Sequence, residues 1–150
     1  MENQYVCTGF GHREVYLDID SKLNSAIDYV IGEGCKVFMT GDMGEFDKKF
    51  IKAVIHAKNK NPEIKLILVI PYYTKRINSH KEYYESTFDE VILPDVLSDV
   101  HYKSAIPMLN KWMVDRSDFV ISYVCRDFGG AYKVFEYAKR QNKTIIKIGN

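Results

Sequence analysis

The chain has 150 residues, 46% of them hydrophobic and 27% charged, with a formal net charge of +1. That is the size and balance of one soluble globular domain spanning 1–150, able to bury a core without staples. The small net charge speaks against a general nucleic-acid binder, which carries a clear basic excess. No apolar run reaches the length of a membrane span, so no membrane partner is expected. Cys7, Cys35 and Cys125 are odd in number and lack CxxC spacing, which suits reduced thiols, and the polar Met1–Gln4 stretch shows no signal-peptide pattern. A cytoplasmic protein is expected.

A first strand, Tyr5–Thr8, leads into Gly9, Phe10, Gly11, His12 and Arg13. TGxG after a strand opens many nucleotide-binding α/β folds, although Glu14 stands where the third glycine of GxGxxG belongs. A helix follows over Asp18–Glu33, with Leu23, Ile27, Val30 and Ile31 as one apolar stripe and Gly34 as its stop. The second strand, Lys36–Thr40, runs into Gly41, Asp42, Met43 and Gly44 and then a helix over Glu45–Lys60. Phe46, Phe50, Ala53, Val54 and Ala57 line its buried face. Asp42 reads as a turn former and Asp47 as a first-turn charge; either is also a carboxylate able to accept sugar hydroxyls.

A third strand, Ile64–Ile70, ends at Pro71 and Tyr72. The polar, tyrosine-rich stretch to Tyr84 reads as a long loop: an aromatic wall for a base, a mobile cover, or rings over the sheet edge. Phe88–Leu93 is a fourth strand, 95–101 a loop, and Lys103–Arg116 a helix with Ala105, Met108, Leu109, Trp112 and Met113 turned inward. The apolar run Phe119–Cys125 is a fifth strand, suited to burial on both faces. Phe128, Gly129 and Gly130 form the turn into a helix reaching about Asn142, and Thr144–Ile148 is a last strand.

This alternation predicts an α/β fold: a doubly wound, mostly parallel Rossmann-like sheet of six strands with right-handed crossovers and helices on both faces. Ligands of such sheets lie beyond the carboxyl ends of the strands. Three turns, Thr8–Arg13, Gly41–Asp47 and Arg126–Lys133, are therefore expected to meet in one crevice. An anion is expected over Gly129, Gly130 and Ala131, where helix N–H groups are free. Arg13 can clamp a phosphate, His12 can donate to it or carry a proton, and the Lys133 stem can reach back to it. Glu136 reads as a ribose contact, as support for an oxocarbenium-like centre, or as a surface acid. No GxSxG, GxxxxGK[ST] or HExxH is present, and His12, His56, His80 and His101 lack ligand spacing, so neither a metal nor a cofactor is expected.

TGFGHRE, GDMGEFD, NKWMVDRSDFVISYV and GGAYKVFEYAKRQNKTIIKI, in that order, resemble the small bacterial members of the SLOG superfamily, the SMF and lonely-guy group of Rossmann-like nucleotide-binding proteins. Lonely-guy phosphoribohydrolases cleave nucleoside 5′-monophosphates and carry PGGxGTxxE. Gly129, Gly130 and Glu136 match its glycine pair and catalytic glutamate, while Phe128 replaces the proline, Tyr132 the third glycine and Lys133 the threonine. Other SLOG relatives sense nucleotide-derived signals, in DNA processing or in phage-related conflict. The resemblance implies a bound small nucleotide or ADP-ribose-like ligand, with copies pairing through helices beside the site. Its alternatives are an N-glycosidase or phosphoribohydrolase using Glu136 and Arg13, or a nucleoside 2-deoxyribosyltransferase-like enzyme. Thr8, Gly9, Gly11, Gly41, Asp42, Gly44, Phe46, Asp47, Pro71 and Tyr72 complete the expected ligand shell.

Overall fold

Residues 4–97 and 100–149 are described by the structure, a computed structural model. Runs rich in β-branched and aromatic residues make the strands β1 (Tyr5–Gly11), β2 (Cys35–Thr40), β3 (Lys65–Val69), β4 (Glu90–Ile92), β5 (Phe119–Tyr123) and β6 (Thr144–Lys147). The helices are α1 (Asp20–Gly32), α2 (Glu45–Lys60), α3 (Lys75–Ser79), α4 (Lys81–Thr87), α5 (Tyr102–Asp115) and α6 (Gly130–Arg140). The sheet has the order β4-β3-β2-β1-β5-β6, and every paired neighbour is parallel. The fold is thus the six-stranded, Rossmann-like α/β sheet that the sequence predicts.

From β1 the chain steps outward to β4, returns to the other side of β1 as β5, and ends on β6. Right-handed crossovers then put helices of the outward and return runs on opposite faces. On one face Leu23 and Ile27 of α1, Phe46 and Phe50 of α2 and Tyr84 of α4 pack with Cys7, Phe38, Leu66 and Ile121. On the other, Leu109 and Met113 of α5 cover Met39, Ile67 and Val69, while Val134 and Ala138 of α6 cover Phe10 and Val120. Acids in the first turn of α2 (Glu45, Asp47) and lysines in its last (Lys58, Lys60) complement the helix dipole. Gly34, at φ +104°, turns the chain out of α1.

Four details differ from the sequence reading. Strand β1 continues through Gly11, because Gly9, Phe10 and Gly11 pair in register with Ile121, Ser122 and Tyr123 of β5. The segment after Pro71 holds two short helices rather than one long loop, anchored by buried Tyr84 and Phe88. The expected loop over 95–101 begins as a 3-10 turn, Asp95–Leu97; residues 98 and 99 lie outside the described residues. Met108 is exposed on α5 while its neighbour Leu109 is fully buried.

Candidate functional site

The strand order reverses at β1, whose neighbours β2 and β5 send the chain to opposite faces of the sheet. A cleft of about 480 Å3 opens there at the carboxyl ends of the strands, lined by the turns after β1, β2 and β5 together with Ile106, Asn110 and Met113 of α5. Its walls are built around close backbone approaches. A Cβ on Gly9 would lie 2.7 Å from the Phe50 ring, and one on Gly11 would lie 2.5 Å from Cγ of Phe46. Both glycines therefore admit α2 against β1, and both also line the cleft. A Cβ on Gly44 would lie 2.8 Å from Cα of Arg13, so this glycine lets the turns after β1 and β2 touch. There the Glu45 N–H donates to the Arg13 carbonyl at 2.9 Å. Gly129 has φ +93°, whereas the Cβ direction of Gly130 is open.

The polar side chains divide into those already used and those still available. His12 is buried and its Nε2 accepts the Cys125 N–H at 2.9 Å, tying β1 to the end of β5. Burial, then the Arg126 charge, lowers its pKa. With Nε2 accepting, neutral His12 carries its proton on Nδ1, so the ring ties β1 to the end of β5 and keeps one N–H donor. Asp47 accepts the Met43 N–H at 2.9 Å, and burial pushes its pKa up to about 6. Asp42, at φ +51°, pairs with Lys48 at 3.4 Å and accepts the Tyr83 hydroxyl at 3.3 Å. Glu14 accepts the Tyr16 hydroxyl. Neither Arg13 nor Arg126 forms an ion pair among the described residues. The Arg126 guanidinium lies 4.9 Å above the exposed Phe128 ring.

Of the expected site residues, Gly9, Gly11, His12, Arg13, Gly41, Gly44, Asp47, Gly130 and Ala131 line the cleft. Thr8 is buried, donating its hydroxyl to the Met39 carbonyl at 3.0 Å, and Phe46 is core. Asp42, Pro71 and Tyr72 line a neighbouring hollow, and Gly129 is the N-cap of α6. Lys133 and Glu136 do not line the cleft; Glu136 lies 4.0 Å from Lys139. Arg126, Tyr16 and Asn110 line it without having been singled out from the sequence. The signal for Arg126 was its position: it follows β5 closely, as Arg13 follows β1.

The cleft does not stand alone. A hollow of about 320 Å3 adjoins it across Arg13 and carries Arg76, Tyr72 and Ile77. Another of about 290 Å3 adjoins it across Arg126 and carries Lys147, Tyr132 and Phe135. The three form a trough across the carboxyl edge of the sheet, with an arginine at each saddle. Among the described residues no group of three or more His, Cys, Asp or Glu could hold a metal ion, and no helix is long and apolar enough to cross a membrane.

No known family profile matches the chain, and no curated protein matches its sequence. Solved structures do match its fold. DNA processing protein A from Helicobacter pylori superposes with TM-score 0.64 at 16% identity, over 95% of this chain and 64% of its own. DNA processing protein A from Streptococcus pneumoniae gives TM-score 0.67 at 16% identity, over 96% of this chain and 50% of its own. The chain thus spans about half to just under two-thirds of these neighbours' length.

These neighbours correct two expectations drawn from the sequence. A small nucleotide-like ligand, bound or cleaved, gives way because the Helicobacter pylori protein of this fold binds single-stranded DNA. The glycosidase and transferase alternatives fall with it; Glu136, their catalytic group, lies outside the cleft beside Lys139. The expectation against general nucleic-acid binding is overturned by the same finding. Net charge is an average over the whole surface and does not describe one edge.

Proposed function

We propose that the trough binds single-stranded nucleic acid, with single-stranded DNA as the first ligand to test. The observation that carries this reading is the joining of three hollows at Arg13 and Arg126. Single-strand sites combine a cationic groove that follows the phosphates with aromatic faces on which bases stack. Arg13, Arg126, Arg76 and Lys147 supply the cations. Tyr72 and Phe128, 41% and 62% exposed, supply ring faces beside them. Of the acids lining the cleft or beside it, Asp42 is paired with Lys48, Asp47 is half-buried and bonded to a backbone N–H, and Glu14 accepts the Tyr16 hydroxyl. The free N–H groups at the start of α6 add a further site for a phosphate. The fold neighbour that binds single-stranded DNA supports the choice of polymer. On this reading residues 1–150 act as one SLOG-type nucleic-acid-binding unit.

Fluorescence anisotropy with labelled oligothymidylate tests it. Arg13→Ala and Arg126→Ala are each expected to weaken binding about ten-fold or more, the value of a charge-assisted contact. Each should also lower the slope of log affinity against log salt by about 0.7, the contribution of one phosphate contact to a single strand. Absence of binding at low salt, or arginine variants with unchanged affinity and slope, would sink the proposal.

A further inference from the structure

We propose that the hollow between α6 and the ends of β5 and β6 seats one unstacked base of the bound strand. This deepens, and rests on, the reading of the trough as a single-strand site. The hollow adjoins the central cleft at Arg126, so a phosphate held there leaves its neighbouring base beside the opening.

The floor of the hollow carries an unused polar group. Ser122 on β5 is 1% exposed and lines the hollow, and its hydroxyl makes no hydrogen bond to any described residue. No fully buried polar side-chain atom among the described residues lacks a partner, so the Ser122 oxygen keeps a small accessible area, and the hollow is the space that Ser122 lines. A hydroxyl both donates and accepts, so it can meet the edge of any base. Phe135 and Tyr132 of α6 flank the space, and half-buried Val124 at the end of β5 adds an apolar surface. The ammonium of Lys147 rests 5.2 Å from the Phe135 ring centre, on the same wall. Asp127 also lines the hollow and disfavours a phosphate inside it, so the neutral base enters and the phosphate stays on Arg126. A base paired in a duplex cannot leave its stack without an unpairing cost, so the seat favours single strands.

The protein carries its own reporter. Cys125 is exposed and lines this hollow, whereas Cys7 and Cys35 are fully buried. A thiol reagent applied to the folded protein therefore labels Cys125. Saturating oligothymidylate is expected to slow that labelling at least ten-fold. A strand of equal length built from abasic nucleotides keeps the phosphates; at saturation it should bind through Arg13 yet leave Cys125 reactive. Ser122→Val, which fills the floor with a side chain like those of Val120 and Val124, should restore labelling while the oligonucleotide stays bound. If oligothymidylate binds but Cys125 reacts at its free rate, or if the abasic strand protects equally well, the base seat is wrong and the trough stands. If no strand binds, both readings fall together.

Discussion

One methyl group added at Gly11 would lie 2.5 Å from Cγ of Phe46, an atom held between β1 and the start of α2. Ring and strand cannot both stay, because Phe46 is fully buried. Gly11→Ala is expected to cost about 1–3 kcal/mol, the usual penalty of overpacking, read as a lower urea midpoint. An unchanged midpoint would show that Phe46 has room to retreat. The glycines at 9 and 11 were legible as important in the sequence, but their packing against α2 was not. A motif records that a side chain is missing and not which neighbour fills its place, and here the occupants are rings from a helix some forty residues on. Asp47 carries a second consequence at this scale. Burial pushes its carboxyl from 3.8 to about 6, with the Met43 N–H opposing and Asp42 adding to the rise. Between roughly pH 4 and pH 6 the folded state holds more protons than the unfolded one, so stability from this group falls as pH rises. Asp47→Asn is expected to raise stability at pH 7 by on the order of 2 kcal/mol and to flatten that window. Urea titrations at pH 4.5 and pH 7 measure it, and equal losses at both values would rule it out.

At the scale of elements, the strands and long helices were legible because their apolar periodicity is strong. Helix α2 runs Glu45–Lys60, as its pattern predicts. The Tyr72–Tyr84 segment was not, because α3 and α4 have 5 and 7 residues, too short for a clear period. What fixes them is tertiary: Tyr84 and Phe88 stack with ring centres 6.1 Å apart, and Tyr83 reaches Asp42. Asp89 plays a similar part after α4. Its carboxylate accepts Lys58 Nζ at 2.5 and 2.6 Å and the Leu66 N–H at 2.8 Å, joining α2, β3 and the lead into β4. Burial raises its pKa, but Lys58 and the Leu66 N–H outweigh that and hold it below the ordinary range. The stabilisation is therefore present above about pH 4 and lost on acidification, opposite in sign to Asp47. Asp89→Ala is expected to cost about 1–2 kcal/mol at neutral pH, less than a buried network because the pair is partly exposed. A midpoint shift at pH 7 that persists undiminished at pH 3 would contradict this account.

Across the whole molecule, charge is nearly balanced in sum and uneven in place. Asp20 and Asp89 are spent on lysines of α2, away from the trough, while Arg13 and Arg126 on its saddles form no ion pair among the described residues. A sum over 150 residues hides that arrangement, so the partner class proposed above was the least legible property in the sequence. The position of the crevice was legible, since it follows from strand order alone.

That strand order also has a consequence for how the protein comes into being. The contacts that hold β5 against β1 join residues more than a hundred positions apart: the Val6 N–H donates to Asp118 at the amino end, and the Cys125 N–H to His12 beside the cleft. During synthesis β1 to β4 leave the ribosome with one side of β1 bare, an edge able to pair with any passing chain until β5 arrives. Closing so long a loop is also slow. Recovery of oligonucleotide binding after dilution from urea should therefore lag the return of helical signal and coincide with the last kinetic phase. Binding that returns with the helices would mean that the two halves of the sheet meet early.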